Sequence, residues 1–339
     1  MSARNVLLAL DSDRYEPVLI GIDRNGRWSL QEAQLLLDAA GSAQAMVPNA
    51  KTSISVQPRE SAAPSAVGVD VVFPVLHGPM GEDGTVQGML ELANIPYVGA
   101  GVLGSAIGMD KDVMKRLLRD AGLPVAKFRA FRRWDYERSR DVVLASCAEL
   151  GFPLFTKPAN LGSSVGIRRV ADPSALAAAL EFAFQFDTKV LAEEAIVGRE
   201  IECSVLGYHE VIASTPGEIV VRHTDGFYSY DAKYLDEHGA VLEIPAKLEP
   251  AVVEAVQAMA IRAFNVLETQ GLARVDFFLG ASSNLTINEI NTLPGFTAIS
   301  MYPKLWAASG MSSTELVDRL IKLAFERHRE RAALLTKQE

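Results

Sequence analysis

The sequence contains only two cysteines, Cys147 and Cys203, set far apart. Neither a disulfide framework nor a zinc ligand set can be built from them, and a reducing cytoplasm is the expected setting. Positive charge is scarce as well: 33 Lys plus Arg face 42 Asp plus Glu, a formal net charge of -9, with no basic stripe to match a phosphate backbone. No nucleic-acid partner is expected. Long apolar runs are missing: no stretch approaches the roughly 18 to 20 residues that cross a bilayer, the longest candidates being interrupted by Asp, Pro or His. The opening MSARNVLLALDSDRYEP has one early arginine and a short apolar run ended by Asp11, which falls short of a signal-peptide core. No membrane is expected either.

What is present points to enclosed cores. With 339 residues, 49% hydrophobic and 22% charged, the chain is too long for one domain of about 150 residues and too apolar for disorder. It enters directly on a helical pattern, RNVLLALDS. From residue 17 to 100, short apolar runs alternate with helical patterns: PVLIGID, QEAQLLLDAA, VDVVFPVLHG, TVQGMLELANI, PYVGAG. The run Val69, Val71, Val72, Phe73, Val75, Leu76 reads as a parallel strand buried on both faces. Residues 41–66, rich in Ala, Ser and Pro, read as a surface connection.

A well-bounded helix follows, with Asp110 as N-cap, Val113, Met114, Leu117 and Leu118 apolar, then Gly122 and Pro124. Residues 153–170 give strand, glycine-rich turn and strand, then a helix opened by Asp172 and Pro173 and the strand KVLAEE. The last part carries EIECSVLG, a polar aromatic loop over 223–239, a helix over 250–268, the strands LARVDFFLG and NLTINEI, and an amphipathic helix over 313–330. The fold class is α/β and α+β.

The strongest chemical signal is the pair of strands over 272–290. Alternation puts Arg274 and Asp276 on one face of the first, and Glu289 and Asn291 on one face of the second. A four-residue connection, 280–283, would set Arg274 opposite Glu289 and Asp276 a diagonal step away. Two carboxylates and an amide make a hard, all-oxygen site suited to Mg²⁺ shared with phosphates, and an arginine beside it would stabilise developing negative charge. A surface salt-bridge ladder is the alternative for Arg274 and Asp276 taken alone.

The turn ANLGSSVG is a second signal. Gly162, Ser163, Ser164 and Gly166 could close N–H and hydroxyl donors over phosphates, with Lys157 on the strand before them. A plain hairpin turn uses the same residues, and Lys111 taken alone reads more readily as a solvated surface lysine than as a ligand residue. Residues 99–104, Gly-Ala-Gly-Val-Leu-Gly, match the dinucleotide fingerprint by letter. The acid that should end the following strand is Asp120, which lies inside a helical run, so a dehydrogenase is rejected.

Together KPANLGSSVG, LAEEAIVGRE, FYSYDAKY, ARVDFFL and NEINTLPGFTAIS resemble the ATP-grasp ligases, and within them the D-alanine:D-alanine ligase family. HGPMGEDG and GVLGSAIGMDKDVMK are similar to its N-terminal and linker motifs, so the resemblance runs nearly the whole chain. It implies a three-domain ATP-grasp fold: a Rossmann-like parallel-sheet domain over 1–103, a central lid domain over 104–192, and a domain with the metal and catalytic residues over 193–339.

Residue by residue, the resemblance implies that Lys111 and Lys157 grip the ATP phosphates and that Ser163 and Ser164 close the loop above them. Glu193 would meet the adenine edge and Glu200 the ribose hydroxyls. Asp276, Glu289 and Asn291 would hold two ions of Mg²⁺ or Mn²⁺. ATP would phosphorylate the carboxylate of one D-alanine, and the amine of a second would attack the acyl phosphate to give the dipeptide used in peptidoglycan precursors. Arg274 and the backbone N–H of Gly295 would stabilise the tetrahedral intermediate. Lys233 and Ser300 would hold the second carboxylate, His77 would lie near its amine, and Tyr234 marks the dipeptide-forming type. A homodimer is implied. Family members begin with a strand and a loop bearing a Ser-x-Glu-His-Glu-Val-Ser segment, whose glutamate anchors the first D-alanine and links to Ser163 and Tyr234. The chain starts on the helix after it, on the order of 20 to 25 residues later, so its N-terminal domain is expected to lack the first strand. Two other functions stay open: another carboxylate–amine or D-lactate ligase, and a truncated, non-catalytic ATP-binding relic.

Overall fold

Helix α1 (Ser2–Ala9) buries Val6 and Ala9 and ends where Leu10 turns to an extended backbone. Strand β1 (Leu19–Ile22) pairs antiparallel with β2 (Trp28–Gln31), while β3 (Ser55–Pro58) and β4 (Ala66–Val69) run parallel. The structure, a computed structural model, describes residues 1–23, 25–32, 54–58, 66–221 and 240–335. The helical pattern expected over 31–40 falls outside these residues except for Gln31, which ends β2, and Glu32.

Two expectations for this region need correction. The connection over 41–66 contains the strand β3, and the buried strand over 69–76 ends at Val69. Beyond it, Val72 makes a single parallel bridge to Tyr97, and PYVGAG forms no further ladder. The physical reason is a cleft of about 590 Å³ lined by Val71, Phe73, Val75, Leu10 of α1 and Ile20 of β1. Val71, Phe73 and Val75 have no backbone hydrogen-bond partner among the described residues. The residues are apolar enough for a buried strand, but a ladder needs a neighbour.

Helix α2 (Thr85–Leu92) leads to α3 (Val102–Met109) and α4 (Lys111–Asp120). Asp110 caps α4 by accepting from the N–H groups of Asp112 and Val113, and Gly122, at φ +70, follows its end. The glycines of the fingerprint-like run serve packing. A Cβ on Gly104 would stand 2.4 Å from the Glu268 carbonyl oxygen, so only glycine lets α3 lie this close to the segment around 268.

Strand β5 (Phe128–Arg132), helices α5 (Arg133–Arg138) and α6 (Arg140–Ala148), strands β6 (Leu154–Pro158) and β7 (Arg168–Val170), helix α7 (Leu176–Ala183) and strand β8 (Lys189–Glu194) form one unit. Its antiparallel sheet has the order β5-β8-β6-β7, with Cys147, Leu154, Val170, Leu180 and Val190 in the core beneath.

The larger sheet contains β9 (Arg199–Gly207), β10 (Val211–Ala213), β11 (Gly217–Val221), β12 (Ala240–Glu243), β13 (Gly271–Leu279) and β14 (Leu285–Asn291). Its order is β12-β11-β9-β13-β14, with β10 on β9. Helix α8 (Pro250–Val266) covers one face, packing Val256, Ala260 and Phe264 on Ile201, Cys203, Val275 and Phe277. Strand alternation sends Glu202, Ser204, Arg274 and Asp276 to the opposite face. Helices α9 (Met301–Ala308) and α10 (Ser313–Ala332) pack beside it, with Tyr302, Trp306, Leu316 and Leu320 against Leu206 and Leu272. A capping box between Ser312 and Glu315 opens α10.

Candidate active site

The register of β13 and β14 differs from the expected one. Asp276 stands directly opposite Glu289, and Arg274 opposite Asn291. The connection runs over five residues, 280–284, and Asn288 is an extra residue with no partner across the ladder. This β-bulge changes the parity of the strand. Ile287 faces the core opposite Phe277, yet two residues later Glu289 faces the other side with Asp276.

On that side Arg274 makes a forked contact with Asp276, Nε to Oδ1 and Nη2 to Oδ2, both at 2.7 Å. Its Nε also lies 2.9 Å from Glu202 Oε2 on β9, the residue paired with Asp276 across the sheet. Burial alone would lower the guanidinium pKa, but the charges of Asp276 and Glu202 hold it well above the ordinary arginine value. Arg274 is a fixed cation. Glu200, farther along β9, pairs with Phe278.

The second half of the site comes from α4. Lys189 on β8 binds Asp110 at 2.5 Å and Asp112 at 3.2 Å, and the Lys111 N–H donates to the Ala159 carbonyl, so the helix start is pinned to the central sheet. Lys111 is thereby buried rather than solvated. Its ammonium donates to the Leu161 carbonyl at 2.6 Å and lies 3.5 Å from Glu289 Oε2, joining the glycine-rich loop to the hairpin. In that loop Ser163 and Ser164 hold φ of 55° and 59°, left-handed values uncommon for residues other than glycine. Gly166, at φ +75, lies so close to Pro158 that a Cβ would stand 2.6 Å from its ring.

Behind the loop, Lys157 on β6 donates to Glu193 Oε1 on β8 at 2.8 Å. Lys115, one turn beyond Lys111, lies 3.0 Å from Oε2 of the same carboxylate. Burial would raise the Glu193 pKa, but the charges of Lys115 and Lys157 outweigh it and hold the group below its ordinary value. Burial lowers that of Lys115, with Glu193 opposing.

The turn after β14 is tightly bonded. Asn291 Oδ1 accepts from the Leu293 N–H at 3.0 Å, and a Cβ on Gly295 would stand 2.8 Å from Ser300 Oγ. Ser300 Oγ accepts from the Thr297 N–H at 2.9 Å. From α1, Ser2 Oγ accepts from the Phe296 N–H at 3.1 Å, and Asn5 Nδ2 donates to the Phe296 carbonyl at 2.8 Å.

The structure therefore brings together Arg274, Asp276, Glu289 and Asn291, joins Lys111 to them and to the loop of Ser163 and Ser164, pairs Lys157 with Glu193, and sets Gly295 against Ser300. His77 is exposed and near Glu82, whose carboxylate accepts from the Gly78 N–H and orders its own loop. Lys233 and Tyr234 lie outside the described residues. Sequence reasoning missed Glu202 and Lys115. Glu202 alternates onto one face of β9 and Lys115 follows Lys111 by four residues on one helix face, but neither local pattern says that the residue reaches the site. Both cysteine thiols are pushed up to about 12 by burial, so neither is a nucleophile.

Among the described residues no group of three or more His, Cys, Asp and Glu could hold a metal ion. Two carboxylates and one amide oxygen fit a hard cation that completes its shell with phosphate oxygens and water, and fit a self-contained cage poorly.

Family comparison matches residues 1–100 to the "D-ala D-ala ligase N-terminus" and 117–322 to the "D-ala D-ala ligase C-terminus". A D-alanine--D-alanine ligase of Oceanobacillus iheyensis is 52% identical over 338 residues, spanning 96% of this chain and 91% of the relative. The D-alanine--D-alanine ligase A of Escherichia coli K12 is 48% identical over 345 residues, spanning 99% and 93%. Among solved structures, a D-alanine-D-alanine ligase from Coxiella burnetii superposes with a TM-score of 0.83 at 37% identity, covering 98% of this chain and 90% of its own. The VanG D-Ala:D-Ser ligase from Enterococcus faecalis gives 0.81 at 36%, covering 95% and 94%. An ATP-grasp hairpin facing a lysine-bearing helix and a glycine-rich loop, matched along both halves of the sequence, makes this chain a member of the D-alanine–D-alanine ligase family.

Proposed function

We infer that the chain joins two D-alanines into D-alanyl-D-alanine, converting ATP to ADP and phosphate, and so supplies the dipeptide for peptidoglycan precursors. The observation that carries this is the meeting of Arg274, Asp276 and Glu289 with Lys111 and the glycine-rich loop, in a chain about half identical to D-alanine–D-alanine ligases.

Lys111 and Lys157 hold the ATP phosphates, with Ser163 and Ser164 closing the loop over them. Glu193 takes the adenine edge and Glu200 the ribose. Asp276, Glu289 and Asn291 hold two divalent ions, Mg²⁺ or Mn²⁺, which when bound neutralise charge on the transferring phosphoryl group. One D-alanine carboxylate oxygen attacks the γ-phosphorus and ADP leaves. The second amine then adds to the acyl carbon, and collapse expels phosphate. Arg274 and the Gly295 N–H stabilise the oxyanion formed between these events, because both donors are fixed before charge develops. Ser300 and Lys233 orient the second carboxylate, His77 lies toward its amine, and Tyr234 fits the dipeptide-forming type.

The three expected domains supply these parts separately, the crevice between the second and third taking ATP. A homodimer is supported by Met89 and Leu92 of α2 and Val102 and Leu103 of the adjoining α3, all exposed apolar side chains. Analytical ultracentrifugation showing monomer at micromolar concentration would remove that part. Cytoplasmic location is supported by thiols kept free and by the absence, among the described residues, of a helix long and apolar enough to cross a membrane.

The test is phosphate release and dipeptide mass with Mg²⁺–ATP and D-alanine, with D-serine and D-lactate as competing acceptors. D-alanine-dependent turnover to the dipeptide is expected. A faster product with D-serine or D-lactate would reassign the acceptor, and ATP binding without any turnover would favour the non-catalytic reading.

A further inference from the structure

Glu193 already has a lysine partner. Lys157 donates to its Oε1 at 2.8 Å, which is enough to neutralise a buried carboxylate. A second lysine is nevertheless packed against its other oxygen. Lys115 is 1% exposed, one of the most deeply buried charged side chains described, and its ammonium lies 3.0 Å from Oε2. A second ammonium on one carboxylate is more than its neutralisation needs, and burying it costs stability that apolar packing would not. Neutralising Glu193 therefore does not account for Lys115.

The third contact does. Lys115 Nζ also donates to the Asn288 carbonyl at 3.2 Å. Asn288 is the bulged residue of β14, left out of the ladder, and its neighbour is Glu289. One ammonium is thus ion-paired with the carboxylate of the central sheet and hydrogen-bonded to the strand that carries Glu289 in the larger sheet. Lys111, a turn earlier on α4, reaches Glu289 and the glycine-rich loop directly.

We propose that Lys115 is a positioning residue for the nucleotide site, fixing Glu193 and the bulged strand at one separation so that both ends of a bound Mg²⁺–nucleotide are met together. This rests on the ligase reading above only in taking the ligand to be a nucleotide.

Lys115→Met keeps the length and removes the charge and the donors. Calorimetry with Mg²⁺–ADP should show affinity about tenfold weaker or more, the usual scale for losing a residue that orients a ligand group. The KM for ATP should rise in step while the KM for D-alanine stays within about threefold, a split that general loss of structure would not produce. If the variant does not accumulate folded, Lys115→Gln retains a donor for one of the two contacts and is measured the same way, with a smaller loss expected. Affinity for Mg²⁺–ADP within about twofold of wild type in a folded variant, or equal losses for both substrates, overturns the assignment. A wild-type protein that binds Mg²⁺–ADP but makes no dipeptide would defeat the ligase reading and leave this comparison standing.

Discussion

Arg274 is held by two carboxylates at once, so its planar fork and its charge are both in use. Arg274→Lys keeps the charge and loses the fork; kcat should fall by roughly 10²–10³ with the nucleotide affinity little changed, the scale seen when one preorganised oxyanion donor is lost. Steady-state kinetics with separate ATP and D-alanine titrations would show it, and an unchanged kcat would place the oxyanion elsewhere. Glu193 makes a pH-dependent contribution. Its folded pKa lies below the ordinary 4.5, so the stability it gives is present above that value and is lost as pH falls through the lower folded one. Thermal unfolding across acidic pH should show this loss in the wild type. Glu193→Gln should unfold earlier at neutral pH, with Lys115 and Lys157 left uncompensated, and should show a flatter acid limb. Arg274, Asp276 and Glu289 were legible because alternation along a strand is a local property. Glu202 was not, because no local pattern says that β9 lies beside β13; nor does a helix pattern say that Lys115 is inside.

Among the elements, the bulge at Asn288 governs what the hairpin can do. Were Asn288 to take a regular place in the ladder, Glu289 would fall on the face of Ile287 and point into the core under α8. Deleting Asn288 would leave Ile287, Glu289 and Ile290 alternating in a regular ladder, so the variant should fold, but it loses the carbonyl that Lys115 binds and its nucleotide affinity should fall; Asn288→Ala, which keeps that carbonyl, should hold activity within about threefold. Unchanged nucleotide affinity in the deletion variant would show that the bulge carbonyl is dispensable. The sequence does carry the signal: the core residues Leu285, Ile287 and Ile290 are spaced by two and then three, a break in strand periodicity. A regular pairing ignores that break, and together with a connection one residue longer than expected this displaced the register by two positions. Gly166 bounds the glycine-rich loop in a conformation with φ +75 and no room for a Cβ. Gly166→Ala should lower stability by more than about 1 kcal/mol, read as a fall in Tm, and weaken nucleotide binding.

Across the whole molecule, the two units beyond residue 128 follow the sequence closely, because each closes an antiparallel sheet on its own helices with few long-range choices. The first hundred residues do not. Their apolar runs identify what is buried, but Val71, Phe73 and Val75 line a cleft where a ladder was expected, since parallel pairing depends on strands brought from elsewhere. A cleft of about 590 Å³ with such walls should bind an apolar dye in the native state. 1-Anilinonaphthalene-8-sulfonate should brighten well below Tm, and Val71→Asp should reduce the signal; no enhancement in the native protein would mean that the walls close in solution.

The bonds from Ser2 and Asn5 to Phe296 join residues separated by 294 and 291 positions. At about 5–20 residues added per second, the partner of α1 leaves the ribosome roughly 15–60 s after α1 itself. The turn that presents Gly295 can therefore be completed only at the end of synthesis. Until then the apolar face of α1, with Val6 and Ala9, has no α10 to cover it, and a nascent chain of this protein carries an unfinished turn at Gly295 and an uncovered apolar helix for most of its time on the ribosome.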